Sequence, residues 1–229
     1  MRLAKPRIDV GLYTEKRDPM LEFWQNEAGL PYEELLPAGR GVQQHRHGMN
    51  GSVLKVNHSR DPLPESPPSG YRELFIAREG LAEVRPLVDP DGNRVTLVPP
   101  GTDGVTAIGL ALRVRDEDEF HHFYGESLQF ERQGPRSYLC GDSLLRFEAD
   151  PEATSEAAGA AALRAAGFRY ITIQVHDVDA EHAGILARGG GEGMPPTTLG
   201  KVARISFVTD PDGNSIEISQ RASLTGPLG

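Results

Sequence analysis

The sequence predicts an α+β protein made of two similar halves, and three observations carry this prediction. The stretch DPDGN occurs twice, at 89–93 and 210–214, and a strand-like run, RVTLV or SIEIS, follows each copy. A strand–helix–strands order recurs on both sides of 99–105, a segment rich in proline and glycine. The strands alternate apolar and polar residues, as sheets with one buried face do. Such self-similarity is the signature of a repeated structural unit.

The first half begins with a strand and a helix. In RIDVGLY, residues 7–13, the apolar positions fall on one face and Asp9, Gly11 and Tyr13 on the other. The next stretch predicts a helix in which Asp18 is the N-cap and Gly29 lies at the C-terminal end.

A hairpin follows, because Asn50-Gly51 fits a two-residue type I′ turn. Such a turn places residue 49 opposite residue 52, and each further pair lies one residue outward on both strands. The numbers of cross-strand partners therefore sum to about 101. Two sets of side chains then share faces: His45, His47 and His58 with Leu54 and Val56, and Gln44, Arg46, Lys55 and Asn57 on the opposite face.

The second half repeats this order. AIGLALRV at 107–114 predicts a strand, and a helix capped near Asp116 follows it. SLLRFEA at 143–149 and YITIQV at 170–175 predict further strands. The stretch after 175 predicts a helix with an Asp cap and a glycine stop. The alanine-rich segment 152–166 is compatible with a helix or an ordered linker.

Composition limits the function classes. The net charge of −9 argues against non-specific binding to nucleic acid, because phosphates would be repelled. No apolar run approaches the ~18 residues that span a bilayer, and no apolar signal segment is visible at the N-terminus. Cys140 is the single cysteine, which excludes an intrachain disulfide. We therefore expect a cytoplasmic protein with neither nucleic acid nor a membrane as partner. We also expect a monomer or homodimer.

Several stretches resemble the glyoxalase/bleomycin-resistance/extradiol-dioxygenase superfamily, also called vicinal oxygen chelate proteins. RISFVTDPDGNSIEI is similar to the closing hairpin of that family, and IGLALRVRDEDEFHHFYGESLQF to an opening strand and helix. YITIQVHDVDAEHAGILARGGG resembles the strand and helix that start a second module. In the first half, IDVGLYTEKRDPMLEFWQNEAGLPYE and LVDPDGNRVTL resemble the family more weakly.

The resemblance implies four βαβββ modules whose curved mixed sheets pair around a cleft. Two modules per half would give two tandem glyoxalase-like domains, 1–103 and 104–229. The first domain is the divergent one, because the few residues between 78 and 84 are too short for the helix of its second module.

Metal-dependent members of this family hold one divalent cation with His, Glu or Gln at four strand positions. Carried over residue by residue, the second-half positions are Gly109, Arg146 (or Glu148), Tyr170 and Glu217, and the first-half positions are Asp9, Lys55, Glu73 and Thr96. In the second half only Glu217 is a good ligand, so we expect no tightly bound metal there. A divalent metal (Fe, Zn, Mn or Ni) remains the alternative if this degenerate site is used, or if His45 and His47 form a site.

For function, the resemblance implies a small carbonyl or aromatic ligand in the cleft of the second half. As an enzyme of lyase, isomerase or dioxygenase type, the chain would use Glu217 as general base and Arg146 or Tyr170 to stabilise an oxyanion. Thr172, Gln174 and Gly109 would contact the ligand. The alternative is a non-catalytic binding protein like the bleomycin-resistance branch. Glu217 and Arg146 also permit a purely structural interpretation as an ion pair.

Overall fold

The computed structural model describes residues 1–39, 41–152 and 162–228. Four consecutive modules build the chain. The first comprises β1 (Leu3–Thr14), α1 (Arg17–Glu22), β2 (Tyr32–Pro37), β3 (Val42–Met49) and β4 (Ser52–Ser59). The second comprises β5 (Tyr71–Ala77), β6 (Arg85–Val88) and β7 (Arg94–Val98). The predicted lack of a helix between 78 and 84 is confirmed.

The second half contains the other two modules. The third comprises β8 (Ile108–Val114), α2 (Glu117–His121), β9 (Glu131–Gly134), β10 (Ser137–Cys140) and β11 (Ser143–Ala149). The fourth comprises β12 (Gly167–Val175), α3 (Val178–Ala187), β13 (Gly191–Leu199), β14 (Ala203–Thr209) and β15 (Ser215–Arg221), and a short helix, α4 (Ala222–Thr225), follows it. A π-helical turn extends α1 over Phe23–Glu27, and another extends α2 over His122–Ser127.

The helix ends test the predicted caps. Asp116 and Asp177 cap α2 and α3, since each carboxylate accepts a backbone N–H three residues on, at 2.9 and 3.0 Å. Gly29 has the positive φ, 66°, expected just past a helix end. The Asp18 cap is wrong: α1 starts at Arg17 after Lys16, because the Thr14 hydroxyl accepts the Lys16 N–H and begins the turn earlier. No helix among the described residues is long and apolar enough to cross a membrane.

The segment predicted as helix or linker, 152–166, lies largely outside the described residues, which resume at 162. Its described end forms a short 3₁₀ turn, Ala162–Arg164.

The strands form two mixed sheets, which confirms the α+β class with paired modules. The first sheet has the order β13-β14-β15-β12-β1-β4-β3-β2, and the second β6-β7-β5-β8-β11-β10-β9. The first sheet thus joins modules one and four, and the second joins modules two and three. The expectation that modules pair within each half is wrong. The central strands β1, β8 and β12 all alternate core-facing apolar residues with residues on the opposite face. The residue pattern of a strand therefore does not reveal which strand lies beside it.

The division into domains 1–103 and 104–229 stays a prediction. Each sheet contains strands from both sides of this boundary. The crossing is tight at the centre of the first sheet, where β1 runs antiparallel to β12 and Asp9 lies opposite Thr172.

The larger of the two apolar clusters among the described residues connects both sheets and the helices. The core face of β1 buries Ile8, Val10 and Leu12, as predicted. The core is completed by side chains from α1, α2 and both sheets: Met20, Phe23, Trp24, Leu74, Ile76, Ile108, Leu110, Phe120, Phe123, Ile171, Ile173, Ile216 and Ile218. Because this face of each sheet is apolar, the polar residues of the same strands lie on the opposite face.

The repeated DPDGN turn joins the two sheets at equivalent points. In each copy the first Asp accepts hydrogen bonds from two backbone N–H groups of its own turn, at 2.8–3.0 Å. The Asn side chain then reaches the other sheet. The Asn93 side-chain oxygen accepts the Phe168 N–H at 3.2 Å, and that of Asn214 accepts the Gly70 N–H at 2.6 Å. Each copy of the turn thus makes one hydrogen bond between the two sheets, through Asn93 from the second sheet and through Asn214 from the first.

Candidate functional site

Glu217 lies in a buried polar cluster on the polar face of the first sheet. Its Oε2 is 2.7 Å from the Lys55 Nζ and accepts a hydrogen bond from the Thr172 hydroxyl at 2.7 Å. The Lys55 Nζ also donates to the Thr172 Oγ1 at 2.6 Å. Only 4% of Lys55 and 8% of Glu217 is exposed, so little water competes with this pairing. We call these three residues the Lys55 cluster.

Tyr170 fills the space beside this cluster. A Cβ at Gly11 would come within 2.2 Å of the Tyr170 ring, so the ring lies against the β1 backbone, which has room for it because residue 11 is glycine. The phenol accepts a hydrogen bond from the Asn57 amide at 3.1 Å. Burial raises the pKa of Tyr170 well above its usual value, and the Glu217 carboxylate adds to this effect. The phenol is therefore neutral and enclosed.

Asp9 and Gln174 lie further along the same face. The Asp9 carboxylate is 2.6 Å from the Lys5 Nζ and accepts the Val53 N–H at 2.8 Å. Its second oxygen accepts the Gln174 amide at 3.2 Å. Asp9 and Glu217 thus each have a lysine partner, Lys5 and Lys55 respectively.

Arg146 does not belong to this group, which corrects the expected arrangement. It lies on β11 in the second sheet, where it is opposite Ala111 of β8, whereas Glu217 lies in the first sheet. The expectation that Arg146 pairs with Glu217 is wrong because modules three and four belong to different sheets. Lys55, from the first half of the chain, takes that place.

The second sheet carries a cavity of about 960 Å³ on its polar face. This size is within the range of small-molecule sites. The lining includes Arg72, Glu73, Arg94, Arg113, Arg146 and Glu148. We call it the second-sheet cavity.

Arg146 crosses one end of this cavity. Its guanidinium carbon lies 3.9 Å from the centre of the Phe75 ring, a cation–π contact. Ala111, which lies between the strands of these two residues, is small enough to leave that path open. Asp103 is the nearest carboxylate, at 3.7 Å, so the ion pair is loose. One edge of the guanidinium therefore remains available.

Apolar side chains pack around this contact: Phe75, Ala77, Val98, Val105 and Leu144. Val105 comes from the linker between the halves and covers Gly109, where a Cβ would lie 2.9 Å from its methyl group. The missing side chain at Gly109 makes room for the linker, and its ligand contact stays a prediction.

Glu73 supplies the carboxylate of the second-sheet cavity. It lies 3.0 Å from an Arg94 nitrogen and accepts the Thr96 hydroxyl at 2.6 Å. Thr96 is the position in the first DPDGN copy that corresponds to Glu217, and here it holds a neighbouring carboxylate.

The eight carried-over positions regroup by sheet, and neither group fits a divalent cation. In the first sheet, Asp9 and Glu217 are the anions, but the Lys55 ammonium lies against Glu217. In the second sheet, Glu73 is paired with Arg94, and Arg146 adds a further cation. A second cation at either place would be repelled by these side chains. The chemistry of the donors therefore disagrees with the metal that the family resemblance implies.

The histidines do not form a metal site among the described residues, where no group of three or more His, Cys, Asp or Glu is placed to hold an ion. The hairpin register is confirmed, with His45 opposite Val56 and His47 opposite Leu54. The His45 and His58 ring centres are 6.4 Å apart. His47 is fully buried beside Tyr32, whose ring centre is 5.4 Å away.

The sequence identifies most of the candidate positions but not the side chains with which they form hydrogen bonds and ion pairs. Lys55, Glu73 and Thr96 were identified as candidate positions, but their partners were not. Arg94 and Phe75 were not singled out. The hairpin register, which places Lys55 and Arg46 on the polar face, was the available signal for a cation near Glu217.

Comparison with known proteins agrees with this fold. Residues 107–218 match the family model described as Glyoxalase/Bleomycin resistance protein/Dioxygenase superfamily. The crystal structure of glyoxalase I from Zea mays superposes with a TM-score of 0.72 at 14% identity, covering 96% of this chain and 92% of that one. The cppA protein from Streptococcus pneumoniae TIGR4 gives 0.58 at 10% identity, covering 93% and 97%.

A search of curated proteins found no match to the sequence. At such low identities the structures establish the fold, and the family model identifies the lineage. Residues 107–218 therefore belong to the glyoxalase/bleomycin resistance protein/dioxygenase superfamily, and the chain has the glyoxalase I fold over nearly its whole length.

Proposed function

We propose that this protein binds a small organic acid with a flat apolar body in the second-sheet cavity, without a metal ion. The observation that carries the proposal is the Arg146 guanidinium stacked on Phe75 at the wall of a cavity of about 960 Å³. A carboxylate meets the free edge of a guanidinium through charge-assisted hydrogen bonds. A ring or chain attached to it would contact the apolar side chains of the lining, such as Ala111 and Phe147.

The described lining carries four arginines and four carboxylates, so the support for an acidic ligand comes from the placement of Arg72 and Arg146 and not from net charge. Arg94 is paired with Glu73, and Arg113 with Asp150, so these cations are neutralised. Arg72 has a buried Nε that makes no hydrogen bond within the described residues. Burial lowers the pKa of Arg72, and the neighbouring Arg113 lowers it further, which is the electrostatic signature of a cation that lacks an anion.

Catalysis in the same cavity is the second candidate, and Glu73 favours it. A carboxylate and a guanidinium that face one cavity can remove a proton and stabilise the resulting oxyanion. The sequence-based assignment of Glu217 and Tyr170 as catalytic groups, with Thr172 and Gln174 as ligand contacts, stays a prediction. Glu217, Tyr170 and Thr172 are buried and hydrogen-bonded to other side chains of the sheet, which favours a structural role for them.

The test is a calorimetric titration with benzoate and with benzamide, its neutral analogue. We expect saturable binding of benzoate and at least tenfold weaker binding of benzamide, because the charge-assisted bond to Arg146 is lost. Arg146→Gln should remove the preference for benzoate, and Phe75→Leu, which removes the ring that positions the Arg146 guanidinium, should weaken benzoate binding. Arg85→Gln, on the same sheet but outside the cavity lining, is the matched control and should bind normally. Equal binding of both ligands, or benzoate binding unaffected by Arg146→Gln, would refute the proposal.

A further inference from the structure

A second, smaller pocket lies on the polar face of the first sheet, away from the second-sheet cavity. Its volume is about 250 Å³, and its polar lining consists of Lys5, Asp9, Glu34, Arg46, Gln174 and Arg221. Ser223 and Leu224 of α4 complete its wall. We call it the Arg221 pocket. It lies beside the Lys55 cluster on the same face but does not include those three residues.

The charges in the Arg221 pocket leave one cation over. Lys5 is 2.6 Å from Asp9, and the Arg46 Nε is 3.1 Å from Glu34, so both carboxylates of the lining are engaged. Arg221 is ion-paired to neither within the described residues, and the lining carries three cations against two anions. Burial lowers the pKa of Arg221 and the nearby Arg46 guanidinium lowers it further, while the carboxylates of Glu34, Asp9 and Glu217 act in the opposite direction without reversing the shift. Two guanidiniums facing one small space repel each other unless an anion lies between them.

Gln174 adds an unmet hydrogen-bond acceptor. Only 2% of the residue is exposed, and its amide nitrogen donates to Asp9 at 3.2 Å, which identifies the other atom as the oxygen. That Oε1 is buried and has no hydrogen-bond partner within the described residues. An unpaired buried acceptor is unfavourable, so it is rarely left unsatisfied.

The size of the pocket limits what can enter. One water occupies about 30 Å³ in the liquid, so a pocket of about 250 Å³ holds a molecule of roughly two to four carbons with its oxygens. An aromatic acid of the kind proposed for the second-sheet cavity would find no aromatic wall here, because Leu224 is the one large apolar side chain among the described residues of the lining.

We propose that the Arg221 pocket binds a small 2-hydroxycarboxylate. Its carboxylate bridges the guanidiniums of Arg46 and Arg221, and its hydroxyl donates to the Gln174 Oε1. The ligand thus supplies the missing anion and the missing donor together, which neither water nor a simple carboxylate does.

Glycolate and acetate test the two halves of this recognition. Titrated by NMR or calorimetry against the full chain in low-chloride buffer, glycolate should saturate, and acetate should bind about fivefold or more weakly, the effect of one lost hydrogen bond. Arg221→Gln should weaken glycolate binding about tenfold or more, because a charged partner is removed. Gln174→Met should bring glycolate and acetate to equal affinity, and the wild-type comparison of the two ligands stands if this variant fails to fold.

Two controls keep the result specific. Arg204→Gln removes an arginine that pairs with Asp179 outside the pocket and should leave glycolate affinity unchanged. Arg146→Gln should also bind glycolate normally, which separates this pocket from the second-sheet cavity. Absence of saturable glycolate binding, equal wild-type affinity for glycolate and acetate, or glycolate binding unaffected by Arg221→Gln would each overturn the proposal.

Discussion

Replacing Lys55 with methionine is expected to lower the free energy of unfolding by about 3–5 kcal/mol, the range found when a buried ion pair loses one partner. Methionine keeps the length of the side chain but leaves the Glu217 carboxylate, which is 8% exposed, with the Thr172 hydroxyl as its one remaining partner among the described residues. Urea denaturation at neutral pH measures the change.

The double variant Lys55→Met/Glu217→Leu distinguishes a lost pair from a poorly packed methionine. Replacing both charges by apolar groups is often neutral, so the double variant should recover most of the stability. Arg136→Met, which breaks an exposed pair with Glu117, is the control and should cost less than about 1 kcal/mol. A Lys55→Met protein as stable as the wild type would show that the Lys55 cluster does not brace the sheet.

The same experiment bears on the predicted catalytic role of Glu217. If the residue serves the fold, Glu217→Gln lowers stability and leaves benzoate binding unchanged. The first DPDGN copy then shows the alternative solution, in which Thr96 holds the carboxylate of Glu73.

The second large effect is a loss of stability in acid that depends on His47. Burial lowers the pKa of His47 from its usual 6.5 to about 4, and His45 beside it adds to the shift. Because the folded pKa lies below the unfolded one, the unfolded chain binds more protons between these values, and stability falls as pH drops through this window. The shift corresponds to about 3 kcal/mol between pH 7 and pH 4.

The measurement is the difference between the wild type and His47→Leu in denaturation series at several pH values. The difference is needed because burial also raises the pKa of Asp89 and Asp210 to about 6, which acts in the opposite direction. His47→Leu should lack the loss, whereas His176→Gln, at the half-exposed end of β12, should keep it. Parallel pH curves for wild type and His47→Leu would contradict this assignment.

Local features of the fold were predictable because short-range physics determines them. Asn50 and Gly51 have φ of 52° and 83°, and this turn sets the whole β3–β4 register, including the faces of His45 and Lys55. Asp116 and Asp177 cap helices through bonds to residues three positions away. Such signals need no knowledge of the rest of the chain.

The pairing of modules was not predictable in this way, and the site depended on it. β1 has an apolar face and a polar face whichever strand lies beside it. Its actual neighbour β12 comes more than 150 residues later, and this contact brings Lys55 to Glu217 and removes Arg146 from them. Arg146 instead meets Phe75, a residue whose alternation pattern suggested only a buried strand. The sequence therefore supplied the candidate positions but not their partners.

We propose that lysine and arginine side chains take the place of a metal ion at both sets of strand positions. The most direct measurement is the affinity for benzoate of protein purified without a histidine tag, before and after treatment with EDTA and again after adding Zn²⁺, Mn²⁺, Ni²⁺ or Fe²⁺. We expect the dissociation constant for benzoate to be the same before EDTA treatment, after it and after each metal is added. Binding that is lost with the chelator and restored by one equivalent of metal would contradict it.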